Sequence, residues 1–305
     1  MRIVTRPDFD GIVCAVLLIE ALEKDHELNP AISWIEPGEI QAGSADIRPG
    51  DILANLPWHP KAAYWFDHHV SNRPDGKFSG AFEIAPSAAG VVFNYYKAMG
   101  RLGTGFEELV YHTDKIDSAD LTLEQVRAPE DHPWILLSMT VKNRDYEDTD
   151  YWNHLVDLLR TPEIETIIED PHVKKRCEQV IRENAEFGNH LKTHTRIHGQ
   201  ISVTDFRSLE KVPSGNRFLT YSLFPDTTAS MKIRYKNPEK SQILISIGRS
   251  IFNPGSRVNI GRLLARYGGG GHAGAGGCTL EAEGAQEKID QILEILKTNP
   301  PEPEI

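Results

Sequence analysis

The sequence predicts an α/β protein in two parts: an N-terminal domain on a parallel sheet, joined by a helical connector to a smaller α+β C-terminal domain. Three observations predict it. Short apolar runs alternate with helix-length patterns through the first half, which implies a mostly parallel sheet covered on both faces. A charged helical stretch without strand-like runs extends from 151 to 198. From Ile201 onward, strands that tend to alternate apolar and polar residues return, as half-buried antiparallel strands do.

Taken in order, "RIVTR", "AISWIEP", "DILANL" and "AAYWF" read as strands, and "GIVCAVLLIEALEK" and "SAAGVVFNYYKAM" as helices. "SADLTLEQ" looks like a helix start with its own caps. "TDYWNHLVDLLR" and "HVKKRCEQVIRENAEFGNHLKTHT" are helical, with Asp170-Pro171 as a break before the last long helix. "ISVTDF", "FLTYSLF", "ASMKIRYK" and "QILISIG" read as strands, and "NIGRLLARY" and "AQEKIDQILEILK" as helices. The expected boundaries are 1–165 for the first domain, 166–199 for the connector and 200–298 for the second domain. The Pro-rich end, 299–305, is expected to be disordered.

The 305 residues carry 33 Lys+Arg against 44 Asp+Glu, a formal charge of −11. Such a surface repels long polyanions. A small phosphate ester can still bind where local cations or a metal override the field. No apolar run reaches membrane-spanning length, and "MRIVTR" does not open a signal pattern. Cys14, Cys177 and Cys278 are odd in number, far apart and without a Cys-x-x-Cys pair, so oxygen and nitrogen ligands are favoured for any metal. A cytoplasmic location is expected.

Four clusters carry candidate chemistry. In "TRPDFDG", Asp8 and Asp10 follow the first strand and precede a helix; an acid at this place is also an ordinary helix N-cap. In "WFDHH", Asp67, His68 and His69 follow an apolar strand, where ionisable groups are costly unless paired or bound. "DKIDSAD" spaces Asp114, Asp117 and Asp120 along one helical face, which is also how a solvated acidic face looks. "YGGGGHAGAGG" surrounds His272 with glycines, Gly269, Gly270 and Gly271 among them, that allow backbone N–H groups to approach an anion. Arg249 and Ser250 in "IGRS" add a guanidinium suited to phosphate.

The ordered set "DFDG", "DHH", "DKID" and "GGGGHAGAGG", with a helical connector between the halves, resembles the DHH phosphoesterase superfamily with its C-terminal DHH-associated domain. The resemblance covers nearly the whole chain. It implies a metal-dependent phosphohydrolase cleaving phosphoester or phosphoanhydride bonds of short oligonucleotides, nucleotide phosphates or polyphosphate. It implies two divalent cations, Mn2+ or Mg2+, which together lower the pKa of a water and stabilise charge on phosphorus. Asp8, Asp10 and His68 would be ligands, with Asp117 or Asp114 as the late aspartate and Asn55 offering an amide oxygen. His69 and Asp67 would serve catalysis beside them. Arg249, Ser250, Gly269, Gly270, Gly271 and His272 would hold the rest of the substrate in a cleft between the domains.

Two places depart from the family pattern. Val4, Thr5 and Arg6 stand where a metal-binding His or Asp usually precedes the first Asp-x-Asp, and Asn55 stands where an aspartate ends the strand before Asp-His-His. Arg6 is therefore a candidate for the substrate phosphate, and His59 and His112 are candidates for the vacated ligand positions. The departures also admit a relative that binds a nucleotide or polyphosphate as sensor or scaffold without hydrolysis. Expected partners are a small phosphorylated substrate or short oligonucleotide and a second copy of the chain in a homodimer; no membrane and no long nucleic acid are expected.

Overall fold

The computed structural model describes residues 1–23, 30–142 and 148–300. Within them the chain divides into two compact units, Met1–Asp120 with Glu130–Glu178, and Leu121–Pro129 with Gln179–Ile305.

The first unit opens with β1 (Arg2–Thr5), α1 (Phe9–Glu23), β2 (Ala31–Trp34), the short α2 (Pro37–Gln41), β3 (Ile52–Ala54), β4 (Tyr64–Asp67) and β5 (Gly80–Phe82). The five strands lie in the order β2-β1-β3-β4-β5, and every pairing is parallel. Apolar side chains on both faces explain this: Ile3 and Val4, adjacent in β1, are both fully buried. On one face, Val4, Ile35, Ile47, Leu53, Leu56 and Trp65 form a core cluster. α1 lacks a polar face over Phe9–Ile19, all buried, because it also packs against α3 (Ala88–Ala98), α4 (Glu107–Asp117) and α7. That last helix, α7 (Thr149–Leu159), follows α5 (Leu123–Arg127) and α6 (Pro133–Thr140) in the chain. α8 (Ile164–Glu169) ends at Asp170, and α9 (Pro171–His194) begins at once with Pro171, because Asp170 accepts from the N–H groups of His172 and Val173.

The second unit carries β6 (Thr195–His198), β7 (Ile201–Asp205), α10 (Leu219–Leu223), β8 (Ala229–Tyr235), β9 (Gln242–Arg249), α11 (Ile260–Ala265), β10 (Gly270–Gly271), β11 (Ala275–Glu281) and α12 (Ala285–Thr298). Its sheet runs β10-β11-β9-β8-β7-β6, antiparallel except between β7 and β8. One core cluster joins the inward faces of β8, β9 and β11 to α11 and α12. A second gathers Val126 of α5 with Phe187, Leu191, Phe206 and Leu219. α5 is started by a capping box between Thr122 and Gln125, and Arg127 behind it donates to the carbonyl of Ser222.

Two expectations are corrected here. "FLTYSLF" alternates like a strand but forms α10, because the Asn216 side chain accepts from Phe218 N and turns the backbone into a helical start. Helical character expected through 198 stops at His194; Thr195–His198 make an edge strand, tied to β7 by the Thr195–Thr204 hydroxyl pair at 2.8 Å. At the end of the chain, Asn299 is held by bonds to Arg257 N and Gly255 O, while the rest of the expected tail, 301–305, lies outside the described residues, as does Lys24 of the first helical pattern.

Candidate metal centre

In a parallel sheet the carboxyl ends of adjacent strands share one edge, where ligands gather. β1 delivers Arg6 and Asp8 there, β3 delivers Asn55, and β4 delivers Asp67, His68 and His69. Helix α4 adds Asp114 and Asp117 in its last turns.

Asp8, rather than Asp10, caps α1: its Oδ1 accepts from Gly11 N at 2.9 Å. A Cβ on Gly11 would stand 2.0 Å from the Arg6 carbonyl oxygen, so the tight entry into α1 admits only glycine. Gly11→Ala is expected to destabilise the first unit by about 2–3 kcal/mol, the cost of forcing an extra carbon into a packed backbone; a denaturant melt checks it. Asp10 is buried and serves a different helix. Its Oδ2 and Oδ1 accept from Ala88 N (3.0 Å) and Ala89 N (2.8 Å), the first N–H groups of α3. Burial, and then the charge of Asp117, push the Asp10 carboxyl well above its ordinary range. Burial raises Asp117 too, followed by the charge of Asp8.

His68 faces these carboxylates. Its Nδ1 lies 2.9 Å from the Ala85 carbonyl, which only accepts, so Nδ1 carries a proton and Nε2 is the nitrogen left to face a ligand. That Nε2 is buried without a hydrogen-bond partner and sits 3.4 Å from Asp117 Oδ2. Ligand atoms of Asp10, His68 and Asp117 lie within 4.8 Å of one another. A buried carboxylate, Asp10, and a half-buried one, Asp117, both with raised pKa and facing an orphaned imidazole nitrogen, fit a divalent cation, which would reverse the cost of both charges.

Asp67 is fully buried and spends its carboxylate on the loop. Oδ1 accepts from His68 N (2.8 Å) and His69 Nδ1 (2.8 Å), and Oδ2 from Asn72 Nδ2 (2.7 Å). The bond to Asp67 raises the pKa of His69. Asp67, His68 and His69 form the other group of clustered ligand atoms among the described residues. Asp114 turns to Ser87, the N-cap of α3, accepting its hydroxyl at 2.5 Å. Asn55 donates from Nδ2 to Asp8 Oδ1 at 3.0 Å, and Arg6 Nη1 lies 3.2 Å from Asp8 Oδ2. His59 and His112 join neither cluster; His112 stacks on Trp134.

In the second unit, Arg249 donates Nε and Nη2 to the carbonyl of Val258 (3.0 and 2.6 Å), and the buried Ser250 hydroxyl accepts from Phe252 N and Asn253 N. Gly270 and Gly271 are paired in β10. A Cβ on Gly269 would meet the Gly277 carbonyl oxygen at 2.2 Å. Close packing of the hairpin therefore explains Gly269 and Gly271, whose Cβ would meet the Ala275 carbonyl oxygen at 2.3 Å, whereas a Cβ on Gly270 would stand in open space. His272 is exposed at its turn. Three partners in the centre escaped sequence reasoning: the Ala85 carbonyl, the Ala88–Ala89 N–H pair and Asn72. Only the second had a signal, the helix start "SAAG" after Pro86.

Among solved structures, the chain is similar to the pGpG-specific phosphodiesterase PggH from Vibrio cholerae at 32% sequence identity and a TM-score of 0.85, covering 98% of this chain and 99% of that one. An exopolyphosphatase-related protein from Bacteroides fragilis shares the fold at 14% identity and a TM-score of 0.56, over 97% of this chain and 93% of that one. RecJ with Mn2+ from Thermus thermophilus does so at 13% identity and 0.55, over 99% of this chain but 52% of its own. No family model and no curated protein sequence matches the chain. No described helix is long and apolar enough to cross a membrane. With near-complete coverage at 32% identity, and with its acids and histidines at the strand ends, the chain belongs to the DHH phosphoesterase superfamily and is a metal-dependent phosphohydrolase.

Proposed function

We propose that the protein is a phosphodiesterase of short linear nucleotides, with a 5′-phosphorylated dinucleotide such as pGpG as its preferred substrate. The observation that carries this reading is the match to a protein described as a pGpG-specific phosphodiesterase, at 32% identity over 98% of the chain. The −11 charge supports it, because long nucleic acid is disfavoured while a dinucleotide fits a local site.

Asp10, His68 and Asp117 would hold a divalent cation, Mn2+ or Mg2+, which supplies Lewis-acid stabilisation of the phosphoryl group and a more acidic water. The chain's own residues do the rest. The Ala85 carbonyl fixes the tautomer of His68, so its lone pair needs no rearrangement. Asp67 acts through His69: it holds the ring by Nδ1 and raises its pKa, which favours a proton on Nε2 for the ester oxygen. Water adds to phosphorus, the P–O bond to the leaving 3′-oxygen breaks, the His69 proton goes to that oxygen, and the proton released by the added water passes to solvent, from which His69 is reprotonated. Arg6 meets the non-bridging oxygens. In the second unit, Arg249 is bonded to the Val258 carbonyl and Ser250 to Phe252 N, so both side chains are spent on their own loops.

The test is a panel of pGpG, other dinucleotides, phosphoadenosine phosphate, polyphosphate and pyrophosphate with Mn2+. The expected kcat/KM for a dinucleotide exceeds that of every phosphoanhydride by at least about tenfold. Faster turnover of polyphosphate or pyrophosphate would overturn the assignment.

A further inference from the structure

Of the two groups of ligand atoms at the centre, Asp67–His68–His69 spends both Asp67 oxygens and His69 Nδ1 on bonds within its own loop, which leaves one good place for a cation. Asp10, His68 and Asp117 converge, but among the described residues Asp8 belongs to neither cluster of ligand atoms. Its carboxylate has a cation beside it: Arg6 Nη1 stands 3.2 Å from Oδ2, and Gly11 N and Asn55 Nδ2 bond Oδ1 at 2.9 and 3.0 Å, whereas the N–H groups of Ala88 and Ala89 that bond Asp10 are neutral. The Asn55 amide has one sensible orientation, since its oxygen turned toward Asp8 would set two acceptors face to face; its own Oδ1 is then buried without a partner, but it is neutral and brings no charge to offset a second ion beside Arg6. Asn55 is fixed there by a left-handed backbone (φ 55°) and by its N–H bond to the Phe66 carbonyl. The neighbouring positions add no ligand. Val4 is apolar and buried, and the Thr5 hydroxyl donates to the Gly11 carbonyl at 3.2 Å.

Charge bookkeeping points the same way. A dication with an aspartate sums to the same single positive charge as a guanidinium with a neutral amide. Arg6 and Asn55 would thus match, as a pair, the charge of a second ion with an aspartate at position 55. Arg6 is held for this part between two carboxylates, Asp8 and Glu36, whose Oε2 is 3.5 Å from Arg6 Nε. That Nε is buried without a hydrogen-bond partner. A planar fork of donors fixed beside the cation site matches two phosphoryl oxygens.

We propose that this chain works with a single divalent cation, bound by Asp10, His68 and Asp117, and that the Arg6 guanidinium takes the place of the second. The proposal rests on the phosphohydrolase reading above and specifies how that site supplies its positive charge.

The experiment is metal analysis of the full chain, stripped with chelator, reloaded with Mn2+ and equilibrated by dialysis. One Mn2+ per chain and the six-line spin-resonance spectrum of an isolated ion are expected. Two ions per chain, or a spectrum of exchange-coupled manganese, overturn the proposal while leaving the phosphohydrolase reading intact. No bound ion overturns both. Arg6→Gln is expected to keep one ion per chain and lose kcat about 100-fold, with a smaller change in KM and partial recovery in Arg6→Lys. An Arg6→Gln enzyme with parental kcat refutes the role of the guanidinium. If that variant does not fold, the stoichiometry of the parent chain still decides.

Discussion

Asp117→Asn is expected to abolish the effect of metal on this protein, in stability and in activity together. Asp117 and Asp10 are the two carboxylates of the candidate cation site, and both are held in unfavourable protonation equilibria by burial. A cation that binds only the folded chain stabilises it by mass action, about 2.7 kcal/mol at one hundred times its dissociation constant. For a unit of this size that is a rise of roughly 5–10 °C in Tm. Asparagine keeps the shape of the side chain and removes its charge, so the fold should survive while the Mn2+-induced rise collapses. Hydrolysis should fall at least about 1000-fold, because several kcal/mol of transition-state stabilisation leave with the ion. Asp114→Asn makes the contrast. That carboxylate accepts from Ser87, the α3 cap, so its loss should cost about 1 kcal/mol of stability and keep the metal-induced shift. Thermal melts with and without Mn2+, run beside the activity assay, separate the two. A full metal shift in Asp117→Asn would show that the late ligand has been misassigned.

Asp67→Ala is expected to have the largest effect on the fold of any change at the centre. One fully buried carboxylate gathers His68 N, His69 N, His69 Nδ1 and Asn72 Nδ2. Hydrogen bonds to a charged acceptor contribute about 1.5–3 kcal/mol each, and some of the stranded donors regain water, so a net loss of about 3–5 kcal/mol follows. All five tryptophans lie in the first unit, so their fluorescence follows the unfolding of that unit alone. A midpoint lowered by roughly 10 °C is expected there. Asp67→Asn keeps one acceptor oxygen and should lose less stability. It should still lose kcat on the order of 10–100-fold, because His69 then lacks the charged partner that orients it and raises its pKa. Wild-type kcat in Asp67→Asn would mean that His69 works without its partner.

The strands that frame the centre were legible because burial on both faces makes them apolar runs, as in "RIVT" and "YWFD". β5 was not legible. It is three residues long and half-buried, and it begins with Gly80 at φ 111°, against the Trp65 backbone. β6 escaped for a related reason: three of its four residues are exposed, so it carries no alternating pattern. The acids and histidines at strand ends stood out because ionisable groups after apolar strands need a reason. Their division of labour did not. Asp114 and Asp117 share a helix face in the sequence, and only the position of Ser87 shows which one is taken. The glycine run suggested an anion cradle, whereas backbone crowding at Gly269 and Gly271 explains much of it. Crowding of this kind depends on partners distant in the chain and leaves no local trace.

The excursion of Leu121–Pro129 into the second unit has a consequence for synthesis. Val126 emerges from the ribosome 61 residues ahead of Phe187 (187 − 126), its partner in the core cluster, and further still ahead of Phe206 and Leu219. At roughly 5–20 residues per second, that apolar side chain waits about 3–12 s or longer on the nascent chain. The bonds between Thr122 and Gln125 need nothing made later, so they can hold the segment in its helical turn meanwhile. Elongation speed between 130 and 219 thus sets how long this patch is open to chaperones or to a neighbouring nascent chain.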